Sequence, residues 1–227
     1  MAEGKSLKEK NAWLIRATMI GHIVAFFWVA GEPARLLVGK QADLVKRLEA
    51  LAAPGSAALG VIVVASLLLL GSINPRWRDR LIHWRWRDPL PGSRAFSTIG
   101  PASSQVDMTR LRCLHGPLPK IGGKQNALFY RIYREHRDDI GVLDAHGRYL
   151  AARDIGTLTA IFAVTLPWLA WWASGDGNRA FWYGISLSAL YVFCATAAQN
   201  YSFRMVQHVL ALASSSAAAA AIKSPVP

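Results

Sequence analysis

Long uncharged apolar blocks alternate along this chain with basic, turn-rich stretches. Residues 12–31 read AWLIRATMIGHIVAFFWVAG, 56–73 read SAALGVIVVASLLLLGSI, 155–173 read IGTLTAIFAVTLPWLAWWA, and residues 180–198 form a fourth block. A helix rises about 1.5 Å per residue, so blocks of this length reach across a hydrocarbon core of about 30 Å. All four blocks are predicted to be transmembrane helices. Pro167 is expected to kink the third, and Trp168, Trp171 and Trp172 to set its far end at an interface. Ala17, Gly21 and Ala25, and again Gly184 and Ser188, recur every four residues and give smooth stripes suited to close helix packing. The basic start and apolar middle of the first block also have the form of a cleaved secretory signal. Its length, its aromatics and the blocks behind it favour a retained helix.

Between the blocks the period changes. In residues 34–53, Leu37, Leu44, Val45, Leu48 and Leu51 recur at helical spacing among charges, which predicts an amphipathic helix. Residues 74–154 form a polar insert. Its first half is broken by DPLPGS, GPASS and HGPLPKIGGKQN. From Asn126, the side chains of Leu128, Phe129, Ile132, Tyr133 and His136 share one helical face. A second helix is expected from about Ile140, carrying Val142, Leu143, His146, Tyr149 and Leu150 into the third span. The fourth span extends amphipathically through Arg204 and His208, and the alanine-rich tail from Ser214 is expected to be disordered. The pattern predicts an all-α polytopic membrane protein with four transmembrane helices and a mostly helical cytosolic insert between spans two and three. Its domains would be residues 1–73, 74–154, 155–213 and 214–227.

Composition agrees. Hydrophobic residues make up 52% of the 227 residues, and mean hydropathy is +0.21 despite 26 Lys and Arg. A net charge of +12 would suggest nucleic acid as a partner of a soluble protein. In a membrane protein it reflects positive inner loops and contact with anionic lipid. The insert carries 15 Lys and Arg, against Arg179 alone in the turn between the last two spans. That bias predicts a membrane protein with the insert and both termini in the cytoplasm. Cys113 and Cys194 are expected to stay unbridged.

The chemistry-bearing candidates are few. The run RWRDRLIHWRWR interleaves cations with aromatic faces, as phosphate contact and base stacking require. Its place directly after a span favours a juxtamembrane anchor instead. Arg76, Arg78, Trp84, Arg85, Trp86 and Arg87 are its contact residues, and Arg131 and Arg134 offer a second anion-binding edge. Arg16 and His22 are polar groups inside the first span. Arg16 can snorkel to the headgroups, and His22 needs a hydrogen-bond partner or a place on a conduction route. Cys113 and His115 are the one close pair of metal-type ligands, with no second pair at finger-like spacing. Asp138 and Asp139, adjacent in sequence, point apart on a helix and make a poor hydrolytic pair. No phosphate-binding loop, nucleophile elbow or zinc-protease motif occurs, so neither metal nor cofactor is expected.

Three motifs remain: WRWRDPLPGSRAF, QNALFYRIYR and HGRYLAARD. Over residues 85–154 they resemble small multi-span bacterial inner-membrane proteins of the anti-phage transmembrane-effector type. The resemblance implies a non-enzymatic effector whose cytosolic part senses a signal or partner and whose spans act on the membrane. It brings no catalytic residue. The expected partners are the lipid bilayer, further copies of the chain, and a cytosolic protein, anionic ligand or nucleotide. A small transporter, with His22 and Pro167 on its route, is a second expectation. A membrane-interface enzyme using His136 and His146 is a third.

Overall fold

In the computed structural model the described residues are 7–30 and 71–223. They are helical throughout: α1 (Leu7–Val29), α2 (Pro75–His83), α3 (Met108–His115), α4 (Gly122–His136), α5 (Ile140–Ser174) and α6 (Gly177–Lys223). A 3-10 turn (Pro91–Arg94) and a π turn (Ala95–Ile99) link α2 to α3. No strand occurs among the described residues. Three helices are long and apolar enough to cross a membrane, over Asn11–Val29, Ile140–Ser174 and Gly177–Ser215. The expected second span (56–73) and amphipathic connector (34–53) lie outside the described residues, save for 71–73. The chain stays helical from Ser214 to Lys223, where composition alone suggested disorder. Alanine is the strongest helix former, and its run there continues α6.

Aspartates start the helices. Asp107 Oδ1 accepts the Arg110 amide at 2.9 Å, and Asp139 Oδ1 accepts those of Gly141 (2.8 Å) and Val142 (3.2 Å). Asp176 Oδ1 accepts those of Asn178 and Arg179, each at 3.0 Å. Each satisfies amides that the first helical turn leaves without partners. Asp139 is therefore occupied as a cap, which explains its place beside Asp138 without any catalytic role.

The chain divides into two compact units. Residues 1–74 and 154–194 make an apolar unit, and residues 75–153 and 195–227 a polar one. The apolar unit packs Met19 and Phe26 of α1 with Leu158, Phe162 and Leu166 of α5 and Tyr183 and Leu187 of α6. Its outer face shows Trp13, Trp28, Trp168, Trp172, Phe181 and Phe193. Threonine hydroxyls within its helices are satisfied locally, as Thr159 and Thr165 donate to the carbonyls four residues back at 2.9 Å each. A hydrocarbon environment demands such closure. Gly184 allows close approach: a Cβ there would sit 3.3 Å from Cγ of Pro167. Gly21, the centre of the other small-residue stripe, faces open space.

The polar unit has its own core. Leu111, Ile132, Val142, Val206, Val209 and Leu210 are fully or almost fully buried, joined by Phe96, Phe129 and Tyr149. Each such side chain contributes about 1.5–3 kcal/mol on burial from water. Into this core reaches one polar group, Gln125 of α4, only 1% exposed. Its Oε1 accepts the amides of Phe96 (3.0 Å) and Ser97 (3.1 Å), and its Nε2 donates to the Lys120 carbonyl (2.9 Å) and Ser97 Oγ (3.1 Å). The side chain thus pins the π turn to the start of α4.

Candidate functional site

Two helical stripes meet in the polar unit. On α4 the positions Asn126, Phe129, Tyr130 and Tyr133 follow the i, i+3, i+4, i+7 spacing that lines one helix face. On α5, His146, Tyr149, Leu150 and Arg153 repeat the same spacing. Both stripes border a cavity of about 230 Å³, closed further by Pro75 and Asp79 of α2, Leu90, Pro91 and Gly92 of the 3-10 turn, and Met205 of α6. The three sequence motifs therefore converge on one space. Gly92 makes the convergence possible, since a Cβ there would lie 2.6 Å from both Asn126 Oδ1 and Phe129 Cδ1.

Asp79, Tyr149, Arg153, Tyr133 and His146 pair with one another in the wall. Asp79, 1% exposed, accepts a hydrogen bond from the Tyr149 hydroxyl at 2.6 Å and lies 3.7 Å from Arg153 Nη1. Arg153 is also buried, and its guanidinium lies 5.9 Å from the Tyr149 ring centroid. Across the cavity the Tyr133 hydroxyl and His146 Nδ1 share a hydrogen bond of 2.7 Å, their rings edge to face. Burial pushes the Tyr133 phenol above its ordinary range, so it stays protonated at neutral pH. With Tyr133 as donor, the His146 ring carries its proton on Nε2. The result is a mostly aromatic chamber with a self-neutralised acid–base pair on one wall and a tyrosine–histidine couple on the other. Such a chamber fits a small ligand with an apolar or aromatic body.

None of the basic and tryptophan residues singled out from the sequence lines this cavity. Arg76, Arg85 and Arg87 are exposed, whereas Arg78 is buried. Trp84 is exposed and adopts a left-handed backbone (φ 51°) where the chain turns after α2. Trp86 packs edge-on to Trp77 with ring centroids 5.7 Å apart, and Arg80 lies 4.6 Å above Trp77. Arg131 and Arg134 are exposed on α4, and Arg134 lies over Tyr130 at 5.6 Å. Arg16 is exposed on α1. His22 is buried in the apolar unit, its Nε2 lying 3.3 Å from Thr159 Oγ1 and its ring edge-on to Phe162 at 5.0 Å.

The sequence reading missed Asp79, Asn126, Tyr133, Tyr149 and Arg153 as members of one site. The signal was present in the matching stripes of α4 and α5. Cys113 is exposed, and among the described residues no group of three or more His, Cys, Asp or Glu gathers to hold a metal. No protein-family model, curated protein or solved structure matches the chain.

Proposed function

We propose that the chain is a membrane-anchored, non-enzymatic sensor whose polar unit binds a small, mostly apolar molecule in the chamber between α4 and α5. The observation that carries this reading is the convergence of three separate sequence motifs on one cavity whose polar walls are already paired. Paired walls give shape and hydrogen-bond selectivity rather than bond-breaking chemistry. α5 supplies both a wall of the chamber and a segment apolar enough to cross a membrane, so occupancy acts on a membrane helix directly. The charge bias supports a cytoplasmic position for the chamber, and the resemblance of residues 85–154 favours a bacterial role in antiviral defence with further copies of the chain as partners.

Native mass spectrometry of the full chain, released from detergent micelles after purification from its membranes, tests the reading. The wild type should carry a stoichiometric small-molecule adduct, and Leu150→Trp, which fills the chamber, should lose it. Identical spectra for the two proteins would sink the proposal. Conversion of the adduct over time, abolished by His146→Ala, would replace the sensor with an enzyme.

A further inference from the structure

A second cluster in the polar unit lies apart from the chamber's lining. His83, at the end of α2, is 5% exposed, yet neither ring nitrogen has a hydrogen-bond partner. Its ring stacks towards Phe203 of α6 at 6.5 Å. The same phenyl ring carries the guanidinium of Arg94 at 5.1 Å, and Arg94 Nε is likewise buried without a partner. One turn before His83, the buried Nε of Arg80 is a third orphan. Neither Arg85 nor Arg94 makes an ion pair with a carboxylate among the described residues. Proteins satisfy buried donors almost without exception, and each one left bare costs about as much as a lost hydrogen bond. Here several converge with positive charge and no acceptor.

We infer that His83, Arg94 and Arg85 form a binding site for a phosphate group, with His83 and Arg94 as its buried floor and Arg85 as its exposed rim. A phosphate oxygen accepts from Arg Nε and from one imidazole N–H at once, and its charge offsets two guanidinium groups. The electrostatics agree with the geometry. Burial pushes the His83 imidazole down to about 4, with the charges of Arg94, Arg85 and Arg153 adding to the effect. Burial likewise lowers Arg94, again with Arg85 contributing. Arg94 and Arg85 thus bear on one neutral histidine without a carboxylate between them, whereas Arg153 is already held by Asp79, and a bound anion relieves the first two. The site borders the chamber, since the His83 ring lies 6.1 Å from that of Tyr149, but none of its three residues lines the chamber and the proposal does not rest on the sensor reading. A lipid headgroup and a free solute present the same phosphate chemistry to these three residues.

Thermal unfolding of the full chain in maltoside micelles distinguishes them. Inorganic phosphate is titrated against chloride at equal ionic strength, and dioctanoyl phosphatidic acid against dioctanoylglycerol. A rise in midpoint with inorganic phosphate assigns a free phosphate; a rise with phosphatidic acid alone assigns a headgroup. In either case Arg85→Gln, on an exposed residue, should weaken the response at least tenfold while its midpoint without anion stays that of the wild type. Arg94→Lys, which keeps the charge but loses the Nε donor, should weaken it as well. No rise with either probe, or equal rises in wild type and Arg85→Gln, overturns the site.

Discussion

Replacing Gln125 by Met removes the polar linchpin of the polar unit while keeping the length of its side chain. The Phe96 amide belongs to a buried residue and would be left without an acceptor, at about 1–3 kcal/mol. The Ser97 amide and hydroxyl and the Lys120 carbonyl belong to exposed residues, so water replaces their partner and each loss is about 0.5–1 kcal/mol. Against this, the methionine no longer requires an amide to be stripped of water, which returns about 1–3 kcal/mol. The net destabilisation is about 2–3 kcal/mol, or about 4–12 °C in the midpoint of a chain this size. Tryptophan-fluorescence melting of the full chain in detergent measures it. Ser97→Ala, which removes only a hydroxyl on an exposed residue, should shift the midpoint by less than about 4 °C. A Gln125→Met midpoint within 2 °C of wild type, or no lower than that of Ser97→Ala, would refute the reasoning.

Further outcomes follow from other contacts. His83 is held near 4 in the folded chain against 6.5 when unfolded, so the unfolded state binds more protons between those values. In phosphate-free buffer, stability should be full above pH 6.5 and fall by about 3 kcal/mol as pH drops to 4, at about 1.4 kcal/mol per pH unit. A His83→Phe variant should lose that slope in an otherwise identical pH series of melts. Tyr149→Phe strips the buried Asp79 carboxylate of its 2.6 Å donor and should destabilise by about 1.5–3 kcal/mol, read as a lowered melting midpoint. Asp139→Ala removes the α5 cap and should cost about 0.5–2 kcal/mol, with faster amide exchange at Gly141 and Val142.

Three of the four expected spans were the most legible part of the chain and are long apolar helices, because a run of uncharged residues long enough to span a bilayer has few other uses; the fourth, 56–73, lies almost wholly outside the described residues. The helices of the second half of the insert were legible for a related reason, since Leu128, Phe129 and Ile132 keep a helical period. The cavity was harder to read. Its stripes on α4 and α5 are local and countable, but Asp79 and Gly92 reach it through the short pieces between Asn74 and Phe96. In those pieces no period exists to fix which side chain faces inward. Gln125 was invisible because a glutamine is by default a surface residue, and only the bare amides of a π turn give it a reason to be buried. His83 was not singled out for the same reason: nothing beside it in sequence announces Phe203 or Arg94.

The Asp79–Tyr149–Arg153 arrangement has a consequence for selectivity. A guest that recruits the Asp79 carboxylate must first displace groups already holding it, and separating a buried charge pair costs about 3–5 kcal/mol. That is a handicap of roughly a hundred- to a few thousandfold in affinity. In the proposed sensor, cationic molecules, which the carboxylate alone would attract, would therefore be turned away, and anions would gain little from a guanidinium already engaged. Such a chamber would sort by refusal, admitting what is satisfied by rings and a single hydrogen bond.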